Sequence, residues 1–204
     1  MPLPTLLQKG KIVIQPHHDS HDKEKIRTTP AIKYIMSWFK KRIPASKGGI
    51  PLKKATSVAD RIMILQSGTG SGKSTTLGPE LYLRFGRSLA RNIAVTQPRV
   101  LTAMSIPRKI AKIFAPRGIT LKGRDANIGW QTKNFRAKPR KGIIFMTVGV
   151  LAQQFTVMSD DEISRKYGVI IIDECHMREV QMDTVLALLK KFMHRNYAKP
   201  TCPF

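Results

Sequence analysis

Hydrophobic and polar positions along most of the chain follow a repeated strand–loop–helix pattern. Short apolar runs predict strands, and the longer stretches between them, with apolar residues three or four positions apart, predict helices. The predicted strands are Arg61–Gln66, Asn92–Thr96, Ile128–Thr132, Gly142–Thr147 and Gly168–Asp173. The predicted helices are Lys73 to about Phe85, a stretch to about Ala115 that Pro107 should interrupt or kink, Val148–Met158, and about Gln181 to His194. Strands that alternate with helices predict an α/β fold, a mostly parallel sheet covered by helices on both faces.

The first quarter of the chain follows a different pattern. Residues 1–30 have weak periodicity and predict an extended or mobile arm. Residues 31–43 predict an amphipathic helix docked on the core, with a helix lying on a membrane surface as the alternative. The apolar residues on one face of that helix are Ile32, Ile35, Met36, Phe39 and Ile43. Residues 44–57 form a linker rich in Pro, Gly and Lys, so we expect a basic extension over residues 1–57 and one α/β domain over residues 58–204.

Length and composition exclude several classes of protein. The 204 residues suit one domain, and 42% hydrophobic with 24% charged residues excludes wholesale disorder. Two cysteines are too few for a disulfide framework. Because no apolar run approaches the roughly 18 residues of a membrane span and no secretory signal begins the chain, we expect a soluble intracellular protein.

Positive charge is concentrated in the first two thirds of the chain. The formal net charge is +23, from 36 Lys and Arg against 13 Asp and Glu. Residues 1–59 carry 12 basic and 3 acidic side chains, residues 60–141 carry 17 and 3, and residues 142–204 carry 7 of each. A field this positive attracts polyanions, of which nucleic acid is the commonest inside a cell. We therefore expect a nucleic-acid partner, with a solubility device or a basic face covered in a larger assembly as alternatives.

A Gly-rich loop, SGTGSGKST at residues 67–75, lies between the first predicted strand and the first helix. This is the context of a phosphate-binding loop, whose backbone N–H groups and following helix attract phosphates. Lys73 is expected to reach the β- and γ-phosphates and Ser74 to bind Mg²⁺. Ser67 stands where the pattern has its first Gly. The residues predicted to hold the nucleotide are Gly68, Thr69, Gly70, Ser71, Gly72, Lys73, Ser74 and Thr75.

An acidic sequence, Asp173-Glu174-Cys175-His176, follows the last predicted strand. The carboxyl end of a parallel strand is where α/β proteins bind their ligands. Asp173 is expected to hold Mg²⁺ against the phosphates, and Glu174 to orient and deprotonate the attacking water. His176 would report the nucleotide state to a neighbouring domain.

Four segments in this order resemble motifs I, Ia, Ib and II of the DExH-box helicases of superfamily 2. They are SGTGSGKSTT, VTQPRVLTAMS (95–105), FMTVGVL (145–151) and IIIDECHMREVQMD (170–183). Within that superfamily they are similar to the DEAH-box RNA helicases and to viral DExH enzymes, some of which also read DECH. The resemblance covers roughly residues 31–200 and implies that residues 58–204 form a RecA-like ATP-binding domain that uses ATP and Mg²⁺.

The resemblance also implies a path for nucleic acid, with single-stranded RNA favoured over DNA by family analogy. Gln97, Pro98 and Arg99 match motif Ia, and Thr147 and Gly149 match motif Ib, all contacts to the nucleic-acid backbone in the family. Two further sets of positions also match the family. One set lies between those motifs and consists of Gly129, Trp130 and Lys133, and the other follows the acidic sequence and consists of Arg178 and Asp183.

Helicases of this family have two RecA-like domains, and neither motif III nor motifs IV to VI of the second half occur in these 204 residues. We expect that half to come from further sequence or from another chain. Alone, the chain should bind ATP and Mg²⁺ weakly, hydrolyse ATP slowly and fail to unwind a duplex. The alternative functions are another phosphate-loop motor for packaging or transport, and a catalytically idle nucleic-acid-binding module.

Overall fold

The computed structural model describes residues 7–8, 11–14, 30–43, 55–67, 72–177 and 179–204. The strands are β1 (Leu7–Gln8), β2 (Lys11–Ile14), β3 (Ile64–Ser67), β4 (Asn92–Gln97), β5 (Ile128–Gln131), β6 (Arg136–Ala137), β7 (Ile143–Thr147) and β8 (Tyr167–Ile172). The helices are α1 (Pro30–Arg42), α2 (Lys73–Leu89), α3 (Val100–Phe114), α4 (Val148–Val157), α5 (Asp160–Lys166) and α6 (Val180–Asn196). Two short 3₁₀ helices cover Val58–Asp60 and Ala115–Arg117.

The main sheet has five strands in the order β6-β5-β7-β4-β8, of which only the short edge strand β6 is antiparallel to its neighbour. A second sheet has the order β1-β2-β3, with β2 and β3 parallel. Residues 7–8 and 11–14 of the predicted arm therefore form strands beside the strand that leads into the Gly-rich loop. The predicted α/β class, a mostly parallel sheet between helices, is confirmed.

The last residue of the chain extends the main sheet at β8. The Phe204 N–H donates to the Gly168 carbonyl at 3.1 Å, and the Ile170 N–H donates to the Phe204 carbonyl at 2.6 Å. This is the bond pattern of a parallel ladder, with Phe204 opposite Val169.

Alternation along the strands divides the apolar side chains between two cores. On β4, Ile93 and Val95 pack with the helices α1, α2 and α3, whereas Ala94 packs with α4, α5 and α6. Both faces of the sheet are thus covered, which explains why β7 and β8 are apolar at nearly every position.

Helix α1 belongs to the first of these cores. Ile35, Met36, Phe39 and Ile43 are buried, and the Phe39 ring meets the Phe204 ring edge-on at 5.5 Å between centroids. The predicted docking of this helix on the core is confirmed. Across the described parts of the chain, no helix has both the length and the apolar character needed to span a membrane.

Two arginines, the buried Arg61 and the half-buried Arg91, hold the segment that precedes Phe204. Arg61 donates to the carbonyls of Tyr197 and Lys199, both at 3.2 Å, and Arg91 donates to the Thr201 carbonyl at 2.6 Å. Burial lowers the pKa of both guanidinium groups. These bonds explain why the predicted first strand is shorter than expected: it begins at Ile64, and Arg61 serves as a buried clamp.

Two further features differ from the sequence prediction. Helix α3 runs without interruption through Pro107, which is buried, so the expected break does not occur. Packing against the sheet compensates for the missing N–H of Pro107. The short helix α5 was not predicted, although Ser159 and Glu162 cap it reciprocally through bonds of 2.8 and 3.3 Å.

Candidate active site

The parallel strands bring the predicted site residues to one edge of the fold. Because β4, β7 and β8 are parallel in the main sheet, the segments after them lie side by side at its carboxyl edge. The segment after β3, which belongs to the second sheet, joins them by lining the same cavity as the segment after β8. Those segments carry Lys73, Arg99, Thr147 and Asp173. Residues 68–71 of the Gly-rich loop lie outside the described residues.

The end of the loop enters helix α2 through a left-handed glycine. Gly72 has a φ of 77°, and a Cβ there would lie 3.1 Å from Thr76 Oγ1, so this position favours Gly. The Gly72 carbonyl accepts hydrogen bonds from the N–H groups of Thr75 at 3.1 Å and Thr76 at 2.8 Å. The Thr75 hydroxyl also donates to it at 3.2 Å. Lys73 and Ser74 therefore occupy the first turn of α2, at the positive end of its dipole.

Asp173 is held on both carboxylate oxygens. Gln97 Nε2 donates to Asp173 Oδ2 at 2.7 Å, and the Glu174 N–H donates to Asp173 Oδ1 at 3.0 Å. The Asp173 residue is 8% exposed and Gln97 is 3% exposed. Each oxygen keeps a further lone pair, so the carboxylate is oriented and can still accept a ligand.

This contact gives the Gln97 side chain a partner within the site. The side chain is buried against Asp173, and the predicted contact of Gln97 with nucleic acid stays a prediction. The next two residues, Pro98 and Arg99, are half-buried and exposed respectively, and Arg99 is the N-cap residue directly before α3.

Glu174 has a strained backbone, with a φ of 54° in the left-handed region. A non-glycine residue there costs about 1–2 kcal/mol. Its side chain is half-exposed, and Glu174 Oε2 lies 3.4 Å from His176 Nε2, whose side chain is exposed. The turn therefore brings the carboxylate and the imidazole together at the mouth of the site. Cys175, between them, is exposed.

One cavity of about 300 Å³ joins the two predicted motifs. Its lining includes Lys73 and Ser74 from the start of α2, and Asp173, Glu174 and His176 from the segment after β8. Its inner part is apolar and lies between β3, β8 and Phe204. The oxygens of Ser74 and Asp173 are ligands that Mg²⁺ prefers, and Lys73 offers a cation for phosphates. These residues therefore fit a nucleotide bound with Mg²⁺.

The structure describes all but one of the remaining predicted residues, the exception being Arg178. Thr147 ends β7 and occupies the N-cap position of α4 without a capping hydrogen bond from its side chain. A Cβ on Gly149 would lie 2.8 Å from Gln181 Oε1. Trp130 is half-buried beneath the Arg108 guanidinium, 4.8 Å from the ring centroid. The other positions are Gly129, which is buried beside β6, Lys133 and Asp183, which are exposed, and Arg178, which lies outside the described residues.

Known proteins resemble the chain in sequence and in fold. A model of the family described as "Type III restriction enzyme, res subunit" matches residues 29–197. Protein B962L of African swine fever virus (isolate Tick/South Africa/Pretoriuskop Pr4/1996), whose name describes it as a candidate RNA helicase, is 39% identical over 94% of this chain and 19% of its own length. The ATP-dependent RNA helicase HrpA of Borreliella burgdorferi is 35% identical over 63% of this chain and 15% of its own.

A solved structure agrees with these sequence matches. The crystal structure of the Escherichia coli DEAH/RHA helicase HrpB matches with a TM-score of 0.51 and 28% identity, over 63% of this chain and 15% of that one. The chain spans about a fifth of the length of its viral relative. The family match, the viral relative and the shared fold lead to one conclusion: the chain belongs to the DExH-box helicases of superfamily 2, as the first, RecA-like ATP-binding domain of that family.

Proposed function

We propose that this chain is a motor domain that binds ATP with Mg²⁺ and couples its hydrolysis to the binding and unwinding of nucleic acid. The observation that supports this most strongly is the cavity that Lys73 and Ser74 line together with Asp173 and Glu174. Single-stranded RNA is the favoured substrate, because the relatives bear RNA helicase names. Because RNA is found inside cells, we propose that the protein acts there.

Each residue of the cavity has a distinct role in this proposal. Lys73 and the amino end of α2 neutralise the phosphates of ATP. Ser74 and Asp173 hold Mg²⁺, which when bound withdraws charge from the β- and γ-phosphates. Glu174 accepts a proton from the attacking water, since its half-exposed carboxylate can reach solvent. His176 lies beside Glu174 and is exposed to any neighbouring domain.

The contact between Gln97 and Asp173 offers a route from nucleic acid to the nucleotide. Arg99 lies two residues after Gln97, directly before α3. Its side chain is exposed, so it is available to a phosphate of the nucleic-acid backbone. A shift of this turn when nucleic acid binds would move the Gln97 amide and with it the Asp173 carboxylate. We therefore assign Gln97 as a positioning residue that couples the two sites.

A second RecA-like domain is part of the proposal. In related phosphoryl-transfer enzymes an arginine finger from outside the phosphate-loop domain contributes about 10³–10⁵ in rate. The chain alone should therefore turn ATP over slowly and should not separate a duplex.

The test is ATP turnover by the 204-residue chain with and without single-stranded RNA. We expect slow turnover that RNA stimulates, and its loss in Lys73→Ala and Glu174→Gln. Lys190→Ala, an exposed lysine on α6, is the control and should behave as the unsubstituted chain. RNA-stimulated turnover that survives in Lys73→Ala would contradict the assignment of this cavity.

A further inference from the structure

The stretch of chain from the end of α3 to the start of β7 carries an excess of positive charge that the active site does not use. Residues 112–141 include nine Lys and Arg residues and a single acidic residue, Asp125. The exposed cations of this stretch are Lys112, Arg117, Lys122, Arg124, Lys133, Arg136, Lys138, Arg140 and Lys141.

Three of these cations line a cleft at the amino edge of the sheet, opposite to the active site. The cleft has a volume of about 590 Å³, and Arg124 on one wall faces Arg140 and Lys141 on the other. Tyr82, Asp125, Ala126 and Asn127 complete the lining. Because the walls lead into β5 and β7 at the beginnings of those strands, the cleft lies a full strand length from the carboxyl edge.

Hydrogen bonds fix the two walls of the cleft relative to each other. The Asn127 side chain donates to the Gly118 carbonyl at 2.7 Å and accepts from the Thr120 N–H at 2.9 Å, which shapes the first wall. The Gly142 N–H donates to Asn92 Oδ1 at 3.0 Å, and the Ile143 N–H donates to the Asn127 carbonyl at 2.8 Å.

Gly142 allows the two walls to approach this closely. Its φ is 152°, and a Cβ there would lie 2.0 Å from the Asn127 carbonyl oxygen. The cations are thus presented by a fixed framework, which lowers the entropic cost of binding a ligand between the walls.

We propose that this cleft, with the exposed cations along β6, binds the sugar–phosphate backbone of a nucleic-acid strand as a second anchor. The inference rests on the proposed function, since it assumes that the chain binds nucleic acid at Arg99 and Thr147. Three cations against one carboxylate favour an anion in the cleft. Tyr82 is half-buried in its lining and offers an aromatic surface for a base.

The positions of the other cations favour a polymer over a free nucleotide. Lys133 lies near the carboxyl end of β5, Arg136 lies on β6, and Lys138 precedes the cleft. β5 has four residues, which span about 13 Å at about 3.3 Å per residue. A strand that leaves Thr147 at the carboxyl edge would therefore meet cations along this whole distance.

Binding of labelled single-stranded RNA to the 204-residue chain tests this, with oligonucleotides of about 6 and about 20 nucleotides. The variant carries Arg124→Gln, Arg140→Gln and Lys141→Gln. We expect its slope of log affinity against log salt for the long RNA to fall in magnitude by about 2, because each lost phosphate contact removes about 0.7. Binding of the short RNA should not change. Lys190→Gln with Lys191→Gln, two exposed lysines on α6, is the matched control.

The outcomes separate this inference from the proposed function. Arg99→Gln could weaken the binding of both RNAs while the triple variant binds the long RNA with an unchanged slope of log affinity against log salt. In that case the proposal of a second anchor is wrong and the proposed function stands. If the unsubstituted chain binds neither RNA, both proposals fail. An unchanged melting temperature of the triple variant shows that it folds. When Arg140→Glu takes the place of Arg140→Gln in that variant, the affinity for the long RNA should fall further. Tighter binding of polyglutamate than of long RNA, lost in the triple variant, would assign the cleft to an acidic protein and overturn the inference.

Discussion

At the scale of single residues, Gln97 connects the two halves of the proposed mechanism. It ends β4 just before the predicted nucleic-acid contact Arg99, and its amide holds the carboxylate expected to bind Mg²⁺. Both groups are buried, so loss of the amide leaves an Asp173 oxygen without its donor.

Gln97→Ala should reduce RNA-stimulated ATP turnover by about tenfold while the affinity for ATP changes less, because Lys73 and the loop still hold the phosphates. Steady-state turnover at saturating ATP measures this. Gln153→Ala, an exposed glutamine on α4, is the control. Equal turnover in the Gln97→Ala and Gln153→Ala variants would show that Asp173 needs no such positioning.

Glu174 should illustrate a conflict between stability and activity. Its φ of 54° suits glycine, so Glu174→Gly should relieve strain and stabilise the fold by up to about 1 kcal/mol while abolishing turnover. Glu174→Gln also lacks the base but keeps the Cβ, and it should not be stabilised. The urea midpoints of the unsubstituted chain, Glu174→Gly and Glu174→Gln measure this difference in stability. A Glu174→Gly variant less stable than Glu174→Gln would show that the backbone at this position is not strained.

The sequence predicted some of these residues and missed others for a physical reason. Lys73, Ser74, Asp173 and Glu174 stand in short motifs, and the structure lines one cavity with them. The bond from Gln97 to Asp173 joins residues 76 positions apart, and no local pattern reports such a contact.

At the scale of elements, helix α2 carries a buried charge that fastens it to the chain after α3. The Glu80 side chain is fully buried, and its carboxylate pairs with Arg117 and with Arg84, the latter at 3.4 Å. Burial of the carboxylate opposes its ionisation, but hydrogen bonds and charges from the two arginines outweigh burial and lower the pKa of Glu80.

Arg117→Ala should destabilise the fold by about 1–3 kcal/mol at neutral pH, because it removes a partner from a buried carboxylate. Since the pKa of Glu80 is lower in the folded than in the unfolded chain, the contribution of this ion pair is complete above the usual value of 4.5. The stabilisation from the ion pair is lost as the pH falls below that value. The unsubstituted chain and the Arg117→Ala variant should then have similar free energies of unfolding.

Urea denaturation at several pH values measures this difference, with the exposed Arg136→Ala as the control. A difference in free energy of unfolding that stays constant down to pH values well below 4.5 would show that packing of Arg117, rather than its charge, stabilises the fold.

Elements with strong periodicity were predictable, and those decided by packing were not. The central strands of the main sheet and the helices α1, α2, α4 and α6 follow the apolar pattern closely. The two-residue strand β6 is too short to show alternation, and α3 continues through Pro107 because tertiary packing overrides local propensity.

At the scale of the whole molecule, the fold class and the family followed from the order of the motifs. The contacts between distant parts of the chain did not follow from the motifs. Arg61 and Arg91 clamp the segment before Phe204, and Phe204 extends the sheet at β8. The two arginine contacts join parts of the chain more than a hundred residues apart, which periodicity alone cannot predict.

The central claim is that one cavity, with Lys73 facing Asp173, holds ATP and Mg²⁺. Equilibrium binding of a fluorescent ATP analogue to the 204-residue chain tests it most directly, since it needs no second domain. We expect binding that Lys73→Ala weakens by at least about tenfold, that chelation of Mg²⁺ also weakens, and that Lys190→Ala leaves unchanged. Equal affinities of the unsubstituted chain and Lys73→Ala would contradict the claim.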